Sequence, residues 1–399
     1  MMHGKTVVIA LLLTGLLVQN LLWFQPAALL PVIAEDLSMS YSRSGLVMSV
    51  VCLLAAAAGL AAGIILNRIG LKRAFSASML LLAAGALGSL VSSDFNVLLA
   101  MRILIGIGIG LAVPIPGVAA VSWLNEAERP VINTVYAVLP YVATALNFGL
   151  SVRVFKIFGD SWKLTMALPG VILLAVVALW AFQKRIDHAE PGELSAGGSG
   201  VRDIAEILRD RQVVLICLAE ACDMWGFEFL STYLVTYLNE SGMPLERAAV
   251  SSMLFPVAGI IAGLGCGALV VSTGKRKIFT WPMHLLIFVG TLIIVNGRGI
   301  VQMAGIFLAG FGNAGWAPAL FTMPMEFKDM TARKISLVFS VLFSVGYLAA
   351  FISPPVGGFI AQRIGLKRTF MIFMLFAALA AAFTFLMDET HPKKIFKAA

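Results

Sequence analysis

The chain has 399 residues, 60% of them hydrophobic and only 13% charged, with a formal net charge of +8 and a mean hydropathy of +0.94. A soluble domain carries about 25% charged residues. Composition therefore excludes soluble enzymes, nucleic-acid binders, secreted disulfide scaffolds and disordered chains. Apolar runs of about 20 residues, in place of alternating segments of about 10, point to membrane-spanning helices and away from a β-barrel.

Twelve helices are expected, near 6–26, 45–67, 74–93, 97–123, 131–155, 163–183, 213–238, 248–272, 278–296, 300–322, 335–361 and 369–387. The first contains Gln19 and Asn20 and lacks a small-x-small cleavage site, so it reads as a membrane helix and not as a signal peptide. The cysteines (Cys52, Cys217, Cys222, Cys266) all fall in apolar runs and read as small packing residues. A polar stretch from Gln183 to Gln212 separates the sixth helix from the seventh, and Val201 to Arg211 within it suits a short amphipathic helix on the membrane surface. The expected division is an N-terminal six-helix bundle over 1–183, a cytoplasmic linker over 184–212, and a C-terminal six-helix bundle over 213–399 with a short cytoplasmic tail.

Basic residues set the orientation. With the N-terminus inside, the larger share of Lys and Arg falls on the cytoplasmic side, including Arg68, Lys72, Arg73, Lys275, Arg276 and Lys277. Both termini are then cytoplasmic, in a multi-pass protein of the cell inner membrane. The loop holding Arg363, Lys367 and Arg368 is positive on the wrong side.

The halves match at one offset of 204 residues. Gly63 and Gly70 map to Gly267 and Gly274, and Gly106, Gly108 and Pro114 map to Gly310, Gly312 and Pro318. This implies two bundles related by an axis along the membrane normal. Arg68–Ile–Gly–Leu–Lys–Arg73 also recurs as Arg363–Ile–Gly–Leu–Lys–Arg368. An inverted repeat inside each bundle would make those two loops equivalent and would explain the wrong-sided charge.

The stretch Gly63–Ile–Ile–Leu–Asn67–Arg68–Ile–Gly70–Leu–Lys72–Arg73 matches the cytoplasmic loop signature of the major facilitator superfamily, and the resemblance covers essentially the whole chain. It implies an all-α membrane protein with alternating access between two six-helix bundles. Gly63, Asn67, Arg68, Gly70 and Arg73 would form a cytoplasmic latch, one charge weaker than usual because Asn67 replaces an aspartate. Arg102–x–x–x–Gly106–x–Gly108–x–Gly110 is similar to the family's second signature, whose arginine is linked to proton transfer. The Gly-Pro antiporter signature is absent from 141–155. Trp225 to Leu234 faintly resembles carriers of small organic anions, of the cyanate and oxalate–formate type.

The seventh helix places Glu220, Asp223 and Glu228 in one span. Each intramembrane acid costs about 2.5–3.5 kcal/mol, so three require a reason. At about 100° per residue, Asp223 lies roughly 60° to one side of Glu220 and Glu228 roughly 80° to the other. They form one polar stripe, suited to a water-filled cavity. An acid without a close cation there can bind and release a proton, as a coupling site must. The bland alternatives are a solvated Glu220 and a structural role for the others. Asp223 maps through the offset onto Gln19, and the family's first and seventh helices line its central cavity.

Further substrate contacts are expected from Gln19, Asn20 and Trp23, from Tyr141, Thr144 and Asn147, and from Asn313 and Trp316, each set sharing a helical face. Ordinary interhelical hydrogen bonds and packing compete with this reading. Arg102 is either an anion contact or a structural arginine of the fold. His284 reads as packed and not as titrating. No P-loop, metal-ligand spacing or Ser-His-Asp set is present, so neither cofactor nor enzyme activity is expected. The expected function is a secondary transporter, not an enzyme, moving a small polar solute (an organic anion is favoured) with a coupling proton, as a monomer in the lipid bilayer, with no nucleic-acid partner. The alternatives are a proton antiporter exporting amphiphilic or cationic compounds and a non-transporting membrane sensor.

Overall fold

The computed structural model describes residues 2–124, 129–183, 204, 206–327 and 330–390. Most of the expected linker, part of the surface helix expected over 201–211, and the tail beyond 390 lie outside the described residues. Among the described residues all regular structure is helical.

The chain opens with α1 (Met2–Phe24), a 3-10 turn (Gln25–Ala28), α2 (Leu30–Asp36), α3 (Tyr41–Leu87), α4 (Phe95–Ala112), α5 (Ile115–Trp123), α6 (Arg129–Ile157) and α7 (Trp162–Ala181). It continues with α8 (Arg211–Glu240), α9 (Leu245–Ser252), α10 (Leu254–Thr273), α11 (Trp281–Asn296), α12 (Ile300–Gly315), α13 (Ala317–Leu320), α14 (Met323–Glu326), α15 (Ala332–Ile364) and α16 (Leu366–Phe385). Side-chain caps start several helices. Ser40 accepts from the Arg43 N–H at 3.3 Å, and Asp94 accepts from Asn96 and Val97 at 2.7 and 3.2 Å. Both satisfy donors that a helix start leaves free.

Ten segments among the described residues are long and apolar enough to cross a membrane. One of them, Tyr41–Val91, has 51 residues and breaks at Gly70, whose φ is 78°. Only glycine takes that conformation freely, so α3 supplies two crossings. Helix α8 has 30 residues, about 45 Å at 1.5 Å per residue, but its four acids, Glu220, Asp223, Glu228 and Glu240, make it less apolar. Counting both legs of α3 and adding α8 to these spans gives twelve helical segments, consistent with the twelve helices expected. Helices break beside the two prolines related by the offset, since α4 ends two residues before Pro114 and α12 ends before Pro318.

The helices pack as two compact units. The first holds residues up to Ala196 together with Ser231–Met253 and Pro354–Gln362; the second holds Gly197–Leu230, Leu254–Ser353 and the remainder. The first core centres on Leu12, Leu22, Val51, Phe75, Leu82 and Trp180, with the Phe75 and Trp180 rings 4.3 Å apart. The second centres on Val213, Ile216, Leu320, Met323, Val338 and Leu342.

Glycine fixes the approach of helices inside each unit. A Cβ at Gly106 would lie 2.7 Å from the Leu54 Cβ and 3.1 Å from the Val51 Cα, and one at Gly110 would meet the Ala55 carbonyl at 2.5 Å. On the other face Gly108 presses on the second leg of α3, where Ser78 donates to its carbonyl at 2.7 Å. In the second unit a Cβ at Gly310 would collide with the Phe255 backbone. Val51 and Phe255 are themselves 204 residues apart, so the repeat read in the sequence recurs as the same helix contact. The inverted echo is also visible in the backbone. Gly70 has φ 78° and ψ 163°, and Gly365 has φ 82° and ψ 155°.

Overpacking such a contact costs about 1–3 kcal/mol. Gly106→Val and Gly310→Val are each expected to lower the thermal unfolding temperature of purified protein in detergent. Gly63→Ala, where an added Cβ meets nothing within 4 Å, is expected to leave it unchanged.

Candidate functional site

In the first unit the polar residues gather where α1 ends. Pro26 has no N–H, so the Leu22 carbonyl loses its i+4 helical donor, and the chain tightens into the 3-10 turn. Arg102, fully buried on α4, spreads its guanidinium over this break. Its Nη1 donates to the Leu22 carbonyl at 2.6 Å, Nη2 to Trp23 at 2.7 Å, and Nε to Val47 at 2.9 Å. Asn147 on α6 donates to the Phe24 carbonyl at 2.7 Å and accepts from Ser151 at 2.7 Å. Gln25 donates to the Thr165 and Met166 carbonyls at 3.1 and 3.3 Å.

The structure thus brings Trp23, Arg102 and Asn147 together at this break, and the contacts of Arg102 follow the structural alternative. Gln19 is buried more than a turn earlier, and its Oε1 finds no hydrogen bond. Asn20 and Thr144 turn back on their own helices, donating to the Leu16 and Pro140 carbonyls at 2.8 Å each. Tyr141 is half-buried.

In the second unit Glu220, Asp223 and Glu228 are all buried. Glu220 packs against Gly346 of α15. Asp223 Oδ1 lies 3.6 Å from His284 Nε2 of α11. The His284 ring stacks on Trp316, with centroids 5.3 Å apart and planes 21° apart. The indole N–H of Trp316 is directed toward the Asp223 carboxylate without closing a hydrogen bond of normal geometry. Asn313 is buried one turn before Trp316. Another face of α8 is apolar, with Trp225 stacked on Phe376 at 5.1 Å and the Phe229 and Phe373 rings tilted to one another with centroids 4.3 Å apart. The sequence singled out Asp223 and Trp316 but not His284, whose nearness to Asp223 depends on how α11 packs.

A cavity of about 390 Å³ in the first unit is lined by Leu30, Met39, Tyr41, Ser44, Thr236 and Glu240, among others. Tyr41 donates to Glu240 Oε1 at 2.6 Å, and the Tyr233 hydroxyl donates to the Tyr41 carbonyl at 2.5 Å. Nearby, Arg153 and Lys156 of α6 pair with Glu246 of α9. These contacts were not foreseen from the sequence.

Of the expected latch, Gly70 makes the turn, and Asn67, Arg68 and Arg73 are exposed. Lys72 donates to the Gln183 carbonyl at 3.0 Å. In the second copy Gly274 also has positive φ, 68°. There Arg276 pairs with Glu326 at 2.9 Å, with both side chains buried.

Removing Arg102 takes a donor from the carbonyls of Leu22, Trp23 and Val47, and the Leu22 carbonyl, which has no helical donor, is left unsatisfied at about 1–3 kcal/mol. Arg102→Ala is expected to lose most of its folded protein on detergent extraction, measured by size-exclusion chromatography. Pro26→Ala in the same chain restores an N–H for Leu22 and is expected to recover part of the loss. No recovery would mean that the break is not what Arg102 supports.

Comparison with known proteins follows the same architecture. Residues 8–339 match the family model of the Major Facilitator Superfamily. The chain is 23% identical over 367 residues to a probable galactarate/D-glucarate transporter of Bacillus subtilis, covering 82% of this chain and 78% of the relative. It is 22% identical over 363 residues to a probable sulfoacetate transporter of Cupriavidus necator, covering 84% and 82%. A bacterial homologue of the human lysosomal transporter Spinster, solved inward-facing and unoccupied, superimposes with a TM-score of 0.82 at 13% identity, over 96% of each chain.

Proposed function

The chain belongs to the major facilitator superfamily, and we propose that it imports a small organic anion together with protons across the cytoplasmic membrane. It is a multi-pass membrane protein by its spans, in a family of transporters. The observation that carries the proposal is the buried pair Glu220 and Asp223, each with a carboxylate oxygen that makes no hydrogen bond to protein. Such groups are expensive in a membrane interior, and proton exchange is a function that justifies keeping them.

The relatives support the choice of solute, since galactarate, D-glucarate and sulfoacetate are all organic anions that carry two negative charges. Importing them has an electrical cost. Each negative charge moved into an inside-negative cell opposes about 2.3 kcal/mol per 100 mV. Protons moving with the anion cancel that cost, which makes symport the economical mode. In this reading the acids of α8, Asp223 and Glu228 above all, take the protons. Gln19, Trp23, Tyr141 and Asn313 contact the solute, Asn147 holds the end of α1, and Arg102 adds positive potential from its fixed place there. Residues 1–183 and 213–399 are the two moving bundles, joined by the cytoplasmic linker, and both termini are cytoplasmic. The protein works as a monomer.

The test is a proton flux into reconstituted liposomes carrying an entrapped pH dye. D-glucarate, galactarate, sulfoacetate, a neutral sugar and an organic cation are added in turn. Wild type is expected to acidify the interior with an anion only, and Asp223→Asn to abolish that signal. Alkalinisation driven by the cation would replace symport with antiport.

A further inference from the structure

His284 is the only titratable residue of α11 and is fully buried. Its Nδ1 lies 3.1 Å from the Thr280 carbonyl. A carbonyl only accepts, so Nδ1 carries the hydrogen, and in the neutral ring Nε2 is left as an acceptor. That lone pair faces Asp223 Oδ1 at 3.6 Å. An ionised Asp223 is also an acceptor only. Two acceptors aimed at one another in a buried site repel. One proton between them converts the repulsion into attraction and lets the 3.6 Å separation close into a hydrogen bond, whichever atom holds the proton.

The surroundings agree with such a pair. His284 Nε2, Asp223 Oδ2, Glu220 Oε2 and Trp316 Nε1 are all buried and make no hydrogen bond to protein. Native proteins rarely leave four such atoms at one place without a functional reason. The stacked indole of Trp316 fixes the plane of the imidazole. The titratable neighbours are on α8, where Glu220 and Cys222 interact electrostatically with Asp223. The residue that caps the end of α12 is Trp316, α15 contributes Gly346, and neither titrates.

We propose that Asp223 and His284 form one proton-binding site, enclosed within the second unit, that takes up and gives back a single proton in each transport cycle. This rests on the reading of the protein as proton-coupled and names the second residue of the coupling site. On uptake a hydronium ion gives its proton to Asp223 Oδ1 or His284 Nε2 and leaves as water. On release the same proton passes to a water molecule. No other bond forms or breaks, and nothing is oxidised or reduced.

The experiment is an infrared pH titration of the purified full-length protein, which needs no transported solute. Wild type is expected to show a protonated-carboxyl band and an imidazole band that titrate with one shared midpoint. Asp223→Asn removes the carboxyl band. His284→Gln moves its midpoint by roughly one pH unit or more, and the double variant shows no change beyond that of Asp223→Asn. A carboxyl band indifferent to His284→Gln, or an imidazole band that titrates apart from it, overturns the pairing. If a variant fails to fold, the shared midpoint in wild type still decides. Absence of proton flux in liposomes with the shared midpoint intact would sink the symport reading and the proton's place in the transport cycle, and leave only the shared titration of the pair.

Discussion

A carbonyl freed inside a membrane has no water to turn to. That constraint governs the first unit. Pro26 ends α1 within the membrane and leaves the carbonyls near Leu22, Trp23 and Phe24 in need of donors. Arg102 and Asn147 supply them from two other helices. The polar residues of this unit are therefore largely occupied by backbone, and the break in α1 holds its place because α4 and α6 hold it.

The second half of the chain shows what happens when the same fold is not broken there. Through the offset of 204, Pro26 corresponds to Leu230, and α8 runs on past it to Glu240. No carbonyl is freed, and the position equivalent to Arg102 is Ile306, which is buried and apolar. Gln19 corresponds to Asp223 and Leu80 to His284. The second unit has thus exchanged an arginine that serves the backbone for an acid and a histidine that serve no backbone break. One half spends its buried polarity on structure. The other keeps groups that can change protonation.

Much of the fold was legible because it rests on local rules. Runs of apolar length, the basic loops and Gly70 each carry their own signal. The glycines of α4 and α12 were legible because a close helix approach admits no Cβ, so the offset that relates Gly106 to Gly310 also relates the residues they touch. What was not legible depended on packing between distant segments. Nothing near His284 in the chain announces Asp223, since the two meet only when α11 folds against α8. The role of Arg102 stood open for the same reason, although Pro26 was a readable sign that the carbonyl of Leu22 would need a donor. Asn20 and Thr144 were singled out by spacing, and their side chains donate back to their own helices.

The central claim is that this molecule binds an anion and a proton together. Proton uptake by purified protein in weakly buffered detergent solution tests it most directly, with D-glucarate, galactarate and sulfoacetate added in turn and binding followed by calorimetry. The account predicts that the medium turns alkaline as the bound anion draws a proton onto the acids of α8. Calorimetric binding of any of these anions with no change in pH would contradict it.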